Sequence, residues 1–489
     1  MVWGISKNPP TSLLMGKTMF TKGQSDFLRD AQEWFLRVSP LQRESLPRVE
    51  RFAVLTGFPG AGKSTVVVEF IKVLKARQIR VLLAAPTHPA KNILLDFLAE
   101  QNVIVPTRTI HSVLGLKPEV NDLGEERFVQ SGEQLDFSEY DLLIIDEASM
   151  VDRYLWAILT TTPSLPPTLF VGDRYQLRPV NARTISPVFT KIKPQNSFKL
   201  TEVVRHHGLL VDYLAALRDG YDGTESHIEV SPADFEGDGS VIYCKYCEWL
   251  ARVCATMQSG NTYKVLAYTN KNVDKFNDSL KSIEVNNYKI LDLEDCEEYG
   301  YSIGEKLVLR EPLLKWNPER KYEEIVCNNG TVVNVAHVDS TTILGFRCSA
   351  LTIWWIEPET PDDNDDGNDS PSSFRALKRL PTKEQTIYVL DREERGNYQA
   401  HLSQLKAEAL NYPITSRQRK ETFRNYYQLR KAFTDVSRTY ASTVHKAQGA
   451  TYDVVFLYRD IAECSDSEVH RELRYVGSSR AKRQLVICR

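Results

Sequence analysis

One short stretch limits what this chain can fold into more than any other: VLTGFPGAGKST, from Val54 to Thr65. An apolar run (Arg51 to Thr56) leads into a glycine-rich turn, and a helical run from Val66 to Lys75 follows. That order of strand, loop and helix gives a G-x-x-x-x-G-K-[ST] match its physical meaning. Gly57, Gly60, Ala61 and Gly62 let backbone N–H groups close around phosphate oxygens. Lys63 reaches the terminal phosphates, and the hydroxyl of Ser64 or Thr65 holds Mg²⁺. The chain is expected to bind a nucleoside triphosphate. The loop alone does not say what hydrolysis would drive.

Strand-like runs alternate with helical ones through the first part of the chain: RFAVLTG, IRVLLAAPT, YDLLIIDEA and TLFVGD. This spacing argues for an α/β fold with a parallel sheet flanked by helices. A second set appears in KVLAYTN, DVVFLY and RQLVICR, interrupted by a gap far too long for a loop. The gap holds β-rich segments (EKLVLREP, NGTVVNVAHVD, TTILGFRC, ALTIWWIEPE) and then charged helical stretches from about Arg392 to Ala432. The expected layout is an N-terminal extension (1–18), a first parallel-sheet domain (19–195) and a second one (196–290 with 435–489). Between the halves of the second lies an inserted small barrel with helices (291–434). The run PETPDDNDDGNDSPSS (358–373) is read as an acidic surface loop within that insert.

Composition excludes several classes. With 42% hydrophobic and 26% charged residues in 489, the chain reads as an ordinary soluble protein with several cores. No apolar run approaches the roughly 18 residues that span a membrane, and the N-terminus lacks a signal-peptide layout, so a cytoplasmic setting is expected. Of eight cysteines only Cys244 and Cys247 form a CxxC, read as two thiols one turn apart on a helix rather than a zinc site. A net charge of −3 means that any nucleic-acid binding must come from a local groove.

YDLLIIDEASM (140–150) reads as a buried strand ending in two carboxylates. Asp146 would hold the magnesium, directly or through water, and Glu147 would orient and deprotonate the attacking water. LFVGDRYQLRPV (169–180) is another strand ending in a polar cluster, whose Asp173 and Gln176 face either the metal shell or the γ-phosphate. Thr87, His88, Thr109, His111, Ser112, Thr443 and His445 are hydrogen-bonding residues at expected strand ends, where open α/β sheets bind ligands. Contacts of this kind to phosphates read no base sequence.

Taken in order, GFPGAGKST, IIDEASM, VGDRYQLRPV, LTEVVRHH, TVHKAQGATYDVV and YVGSSRAKRQL resemble the motifs of superfamily 1 helicases, from Phe20 to Arg489. LAAPTHPAKNIL and TRTIHSVLGL resemble the single-strand contact motifs of its 5′-to-3′ branch (1B), the Dda- and RecD-like group. The resemblance implies two RecA-like domains, ATP and Mg²⁺ as cofactors, and single-stranded and fork DNA as partners. It also implies a monomer at work in the cytoplasm, of a bacterial host in phage members, beside replication or recombination proteins. MFTKGQSDFL resembles the adenine-reading glutamine motif, with Gln24 as reader. By the same resemblance Arg205 and Arg480 face the γ-phosphate from the second domain, while Gln448 and Gly449 couple that domain to nucleotide and strand. Between His111 and Asp141, KPEV and RFVQ flank the turn-rich NDLGEE and suggest a protruding β-hairpin. In Dda-like helicases an insertion there splits the duplex with an aromatic at its working surface, and Phe128 falls at that place. The sequence departs from the family pattern in residues 1–18, in Ser478-Ser479 where a threonine before the arginine is expected, and in the acidic loop. A P-loop kinase or switch is the reading from another class; an NTPase that strips proteins from strands or acts on RNA is the nearer alternative.

Overall fold

The computed structural model describes residues 20–38, 47–120, 126–130, 136–179, 184–204, 208–222, 230–286, 300–317, 322–356, 382–413 and 416–489. The extension 1–18, the acidic run 358–373, and Arg205 with its neighbours His206 and His207 lie outside them.

The first lobe runs α1 (Lys22–Arg37), β1 (Phe52–Gly57), α2 (Lys63–Lys75), β2 (Val81–Ala85), α3 (His88–Glu100), β3 (Thr107–Thr109) and α4 (Ile110–Val113). It continues through the hairpin β4 (Leu116–Val120) and β5 (Glu126–Gln130), then β6 (Leu142–Ile145), α5 (Arg153–Thr161), β7 (Thr168–Gly172), α6 (Val188–Lys191) and β8 (Ser197–Leu200). Six of these strands form one parallel sheet in the order β3-β2-β6-β7-β1-β8. Strands β2, β6 and β7 are buried at every position, and β1 at all but Thr56. Helices cover both faces of such a sheet, so its strands read as continuous apolar runs without alternation. Two apolar cores result. One packs α1 and α2 against Ala53, Leu55 and Leu83; the other packs α4 and α5 against Val54, Leu82 and Phe170.

The second lobe contributes α7 (Leu209–Asp222), β9 (Val241–Cys244), α8 (Tyr246–Gln258), β10 (Tyr263–Ala267) and α9 (Asn270–Val285) before the insert. The insert holds β11 (Lys306–Leu309), β12 (Leu313–Asn317), β13 (Tyr322–Cys327), β14 (Val332–Ile343), β15 (Phe346–Ile356), β16 (Thr382–Leu390), α10 (Arg395–Asn411), α11 (Arg417–Ala432) and β17 (Val436–Arg438). The lobe then closes with β18 (Ala441–Thr443), β19 (Tyr452–Leu457), α12 (Ser467–Ser478) and β20 (Ala481–Cys488). Its parallel sheet has the order β18-β10-β19-β20-β9 and again carries a core on each face. The molecule is thus an α/β protein with a RecA-like parallel-sheet core and additional sheets.

The insert's main sheet is antiparallel, in the order β16-β15-β14-β11-β17. Pairing of β17 with β11 carries this sheet to Arg438, past the sequence-based boundary at 434. Arg438 also ties the sheet to α9, through Asp278 at 2.8 Å, and to Glu305 at 2.8 Å. Helices α10 and α11 pack as a hairpin over the Phe346 and Leu390 ends of β15 and β16.

Candidate active site between the two lobes

The phosphate-binding loop is shaped by close packing as well as by glycine freedom. Gly60 and Gly62 adopt φ of +80° and +77°, and Gly62 is the N-cap of α2. The helix therefore begins at Lys63, three residues before the apolar run that marks it in the sequence. A Cβ on Gly62 would stand 2.4 Å from Gln24 Nε2. Gln24 is fixed at both ends: its Nε2 donates to Ala61 O at 3.0 Å, and its Oε1 accepts from Thr21 N–H at 3.0 Å, within the capping box that starts α1. The residue that resemblance assigns to adenine buttresses the phosphate loop here. On the other side a Cβ on Gly57 would meet Leu200 Cβ at 2.9 Å.

Lys63 donates from Nζ to Gly57 O at 2.7 Å and Phe58 O at 3.0 Å. Burial lowers its pKa; Asp173, Glu147 and Asp146 pull the other way, and Arg480 adds to the lowering. One ammonium thus feels charges from β6, β7 and the far lobe together. The hydroxyl residues Ser64 and Thr65 form the first turn of α2 beside it, half-buried.

Strand β6 delivers the acidic pair. Asp146 accepts Glu147 N–H at 2.9 Å through Oδ1, and burial together with the Glu147 charge raises its pKa to about 7. Glu147 has φ +51°, a left-handed backbone that costs a non-glycine residue energy and turns its carboxylate out of the strand's path. The donor set fits a cation shared with a bound triphosphate. A desolvated carboxylate at Asp146 is what a divalent ion would return to its charged form, and Ser64 would supply a hydroxyl. Among the described residues no group of three or more His, Cys, Asp or Glu could hold a metal by itself, so remaining ligands would be phosphate and water oxygens.

The second lobe reaches into this cluster. Gln448 donates from Nε2 to Gln176 Oε1 (3.2 Å), Ser149 Oγ (3.3 Å) and Glu147 Oε2 (3.4 Å). Next to it Gly449, at φ +84°, lies so near that a Cβ would be 3.7 Å from Glu147 Oε1. The segment after β7 is held still more firmly. Tyr475 on α12 donates its hydroxyl to Asp173 Oδ2 at 2.9 Å, both residues being buried. Arg178 pairs with Glu472 at 2.6 Å and Glu468 at 2.8 Å, and Tyr175 and Leu177 pack into the second lobe's core. Glu468, Glu472 and Tyr475 recur at helical spacing on one face of α12. Two residues beyond that helix Arg480 is buried, with Nε donating to Val476 O at 3.1 Å and Nη2 to Ser479 Oγ at 2.8 Å. Arg218 on α7 stacks over the Phe58 ring of the phosphate loop at 3.7 Å.

Residues expected to meet a strand sit at or just after the carboxyl ends of β2, β3 and β18: Thr109 and Thr443 end β3 and β18, and His111 and Ser112 lie on α4. Three of their hydroxyls cap the turns that follow. Thr87 accepts from Ala90 N–H, Thr109 from Ser112 N–H and Thr443 from Lys446 N–H. Ser112 is exposed. Burial lowers the pKa of His111 and His445, favouring neutral imidazoles that bond without a fixed charge. The backbone of His88 opens α3, and that of Phe128 pairs with Pro118 in the β4–β5 hairpin; both side chains lie outside the described set. The CxxC does not fall on one helix: Cys244 ends β9, and Cys247 lies on α8 after the chain turns at Lys245.

Tyr475, Arg178, Glu472 and Ser149 were not singled out in the sequence. The signal was present in the i, i+4, i+7 stripe of SEVHRELRYVGS, but its partner lies about 300 positions away.

A model of the AAA domain matches residues 39–230, and one of the UvrD-like helicase C-terminal domain matches residues 438–488. The ATP-dependent DNA helicase dda of enterobacteria phage T4 is 28% identical over 463 residues, covering 90% of this chain and 94% of the phage protein. Across nearly its whole length the chain is similar to a superfamily 1B helicase. A second relative, the ATP-dependent RecD2 DNA helicase of Deinococcus radiodurans, is 33% identical over 171 residues, 33% of this chain and 22% of its own length. Among solved structures, the Pif1 helicase from Candida albicans is 16% identical with a TM-score of 0.45, covering 96% of this chain and 95% of that one. The C-terminal match begins at Arg438, at the end of β17, and includes Gln448, Tyr475 and Arg480.

Proposed function

We propose that the chain is an ATP-dependent DNA helicase that moves 5′ to 3′ along single-stranded DNA and unwinds duplex at a fork. The observation that carries this reading is the Gln448 amide, which belongs to one lobe and bonds three residues of the other, Glu147 among them. A site shared in this way makes turnover depend on closure of the cleft, and each cycle then moves one lobe against the other.

In this reading Lys63 and the loop glycines bind the phosphates of ATP. Asp146 and Ser64 hold Mg²⁺, which when bound neutralises phosphate charge. Glu147 is the base toward water, and Arg480, with Arg205, stabilises charge on the transferring phosphoryl group. Asp173, Gln176 and Gln448 report the state of the nucleotide to the second lobe. The strand passes the turns bearing His88, His111 and His445, the β4–β5 hairpin with Phe128 divides the duplex, and the insert acts as an SH3-type barrel with its helices.

The test is unwinding of duplexes with a 5′ or a 3′ single-stranded tail, in DNA and RNA versions, with ATP. Unwinding of the 5′-tailed DNA substrate is expected. Unwinding confined to 3′ tails refutes the polarity, and preference for RNA refutes the substrate. Strand-stimulated ATPase with no unwinding of any substrate supports protein displacement instead.

A further inference from the structure

The helical hairpin of the insert carries charge out of keeping with the rest of the chain. Residues 395–432, the α10–α11 hairpin, hold eight Lys and Arg against two Glu, a net of +6 in a chain of net −3, so that the remainder carries −9. Helix α11 concentrates this excess: RQRKETFRNYYQLRKA has six basic residues and one acidic, and only Thr422 and Leu429 of its sixteen residues are buried.

The aromatic residues of α11 are arranged in an unusual way for a helix so polar. Phe423 and Tyr427 stack with centroids 6.2 Å apart and planes 26° from parallel, and Tyr426 meets both edge-on at 6.4 and 5.3 Å. The Arg419 guanidinium lies 5.4 Å from the Phe423 centroid, so Arg419, Phe423 and Tyr427 form one stripe at i, i+4, i+8. Tyr426 packs against the small core beneath the hairpin; Phe423 and Tyr427 belong to no core cluster and stay half exposed. Arg417, Lys420 and Arg424 stand exposed alongside. Burial therefore does not account for the two rings, and cations surround them.

We propose that this face of α11 is a second contact for an unpaired nucleic-acid strand, outside the cleft between the lobes. Phosphates pair with Arg417, Lys420 and Arg424, and bases stack on Phe423 and Tyr427. An acidic protein would satisfy the cations and leave the rings without purpose. A duplex would offer phosphates and keep its bases stacked on one another. An unpaired strand uses both, because every base has a π-face and every nucleotide a charge. The proposal rests on the reading that the chain works on nucleic acid, and its test separates the two.

The experiment measures binding of the full chain to a fluorescent single-stranded oligonucleotide and to a blunt duplex over a range of salt. Wild type is compared with Lys420→Ala/Arg424→Ala and Phe423→Ala/Tyr427→Ala, each checked for an unchanged melting temperature. The charge variant should flatten the slope of log K against log salt by about 0.7 per removed cation. The ring variant should lose about tenfold in single-strand affinity with its slope unchanged. Because Lys420 and Arg424 are exposed, the charge variant decides the matter if the ring variant folds poorly. Wild-type affinity and slope in the charge variant overturn the proposal, as does a loss confined to the duplex. A wild-type chain that binds neither probe overturns the helicase reading along with it.

Discussion

Removing a single oxygen from Tyr475 tests whether the lobes are joined through the catalytic cleft. Tyr475→Phe keeps the ring and its edge-on contact with Tyr175 (centroids 6.5 Å apart), and deletes only the hydroxyl that reaches Asp173 at 2.9 Å. Tyr475 is 2% exposed and Asp173 3%, so water does not replace the lost donor. Asp173 keeps the Tyr175 N–H at 3.1 Å and the attraction of Lys63, while burial continues to push its pKa up. A hydrogen bond to a charged partner contributes about 1.5–3 kcal/mol, which corresponds to roughly 10–150-fold in an equilibrium. The two cores of the first lobe lie away from Tyr475, and the substitution leaves the packing of Tyr175 and Leu177 in the second lobe's core in place, so this cost falls on closure and not on folding of either lobe. Strand-stimulated kcat should drop at least tenfold, with nucleotide affinity within about twofold and melting temperature nearly unchanged. Steady-state ATPase at saturating strand, binding of a fluorescent nucleotide and a thermal melt on one preparation measure all three. Turnover within twofold of wild type would refute the reasoning, and a melting temperature lowered in step with activity would assign Tyr475 to the fold alone.

Three further outcomes are expected. Glu147→Gln should bind nucleotide and lose turnover, whereas Lys63→Ala should lose both; comparable loss of ATP affinity in the glutamine variant counts against its role as base. Gly62→Ala imposes a left-handed alanine costing about 1–2 kcal/mol, and it sets a methyl 2.4 Å from an amide held at both ends. Titration should show nucleotide binding weakened more than tenfold, and an unchanged affinity would contradict the loop geometry. Burial lowers the pKa of Lys264 on β10 from 10.5 to about 8. The native state therefore binds fewer protons than the unfolded chain between those values, and the penalty is full below pH 8 and fades toward 10.5. At about 1.4 kcal/mol per pH unit, the stability of wild type relative to Lys264→Met should rise by roughly 3 kcal/mol between pH 7 and 10.5 in denaturant melts. A gap that stays flat across that range refutes it.

What could be read in the sequence, and what could not, follows from where each element lies. Strands β1, β2, β6, β7, β10, β19 and β20 were legible because each is an apolar run, and all seven are interior to their sheets. The four edges are β3 (TRT), β8 (SFKL), β9 (VIYC) and β18 (AST); none stands out as an apolar run of its own, and β3 and β18 show only as the strand ends at Thr109 and Thr443. An edge strand is paired on one side only and can be short and polar, so its residues look like loop. The edge strand β9 is apolar but only four residues long, and the helix that follows from Tyr246 makes Cys244 read as part of its pattern. The phosphate loop and the Asp146–Glu147 pair were legible because their chemistry is local. The Tyr475–Asp173 bond and the Arg178–Glu472 pair were not, since each joins segments about 300 residues apart and no local pattern points to the partner.

The central claim, that the second lobe completes the catalytic site of the first, is tested most directly by ATP turnover of Arg480→Ala with and without single-stranded DNA. Nucleotide affinity is measured beside it. Removing a charge that acts on the transition state should lower strand-stimulated kcat by about 10³-fold or more and leave nucleotide affinity nearly intact. Strand-stimulated turnover at the wild-type level in Arg480→Ala would contradict a site shared between the lobes.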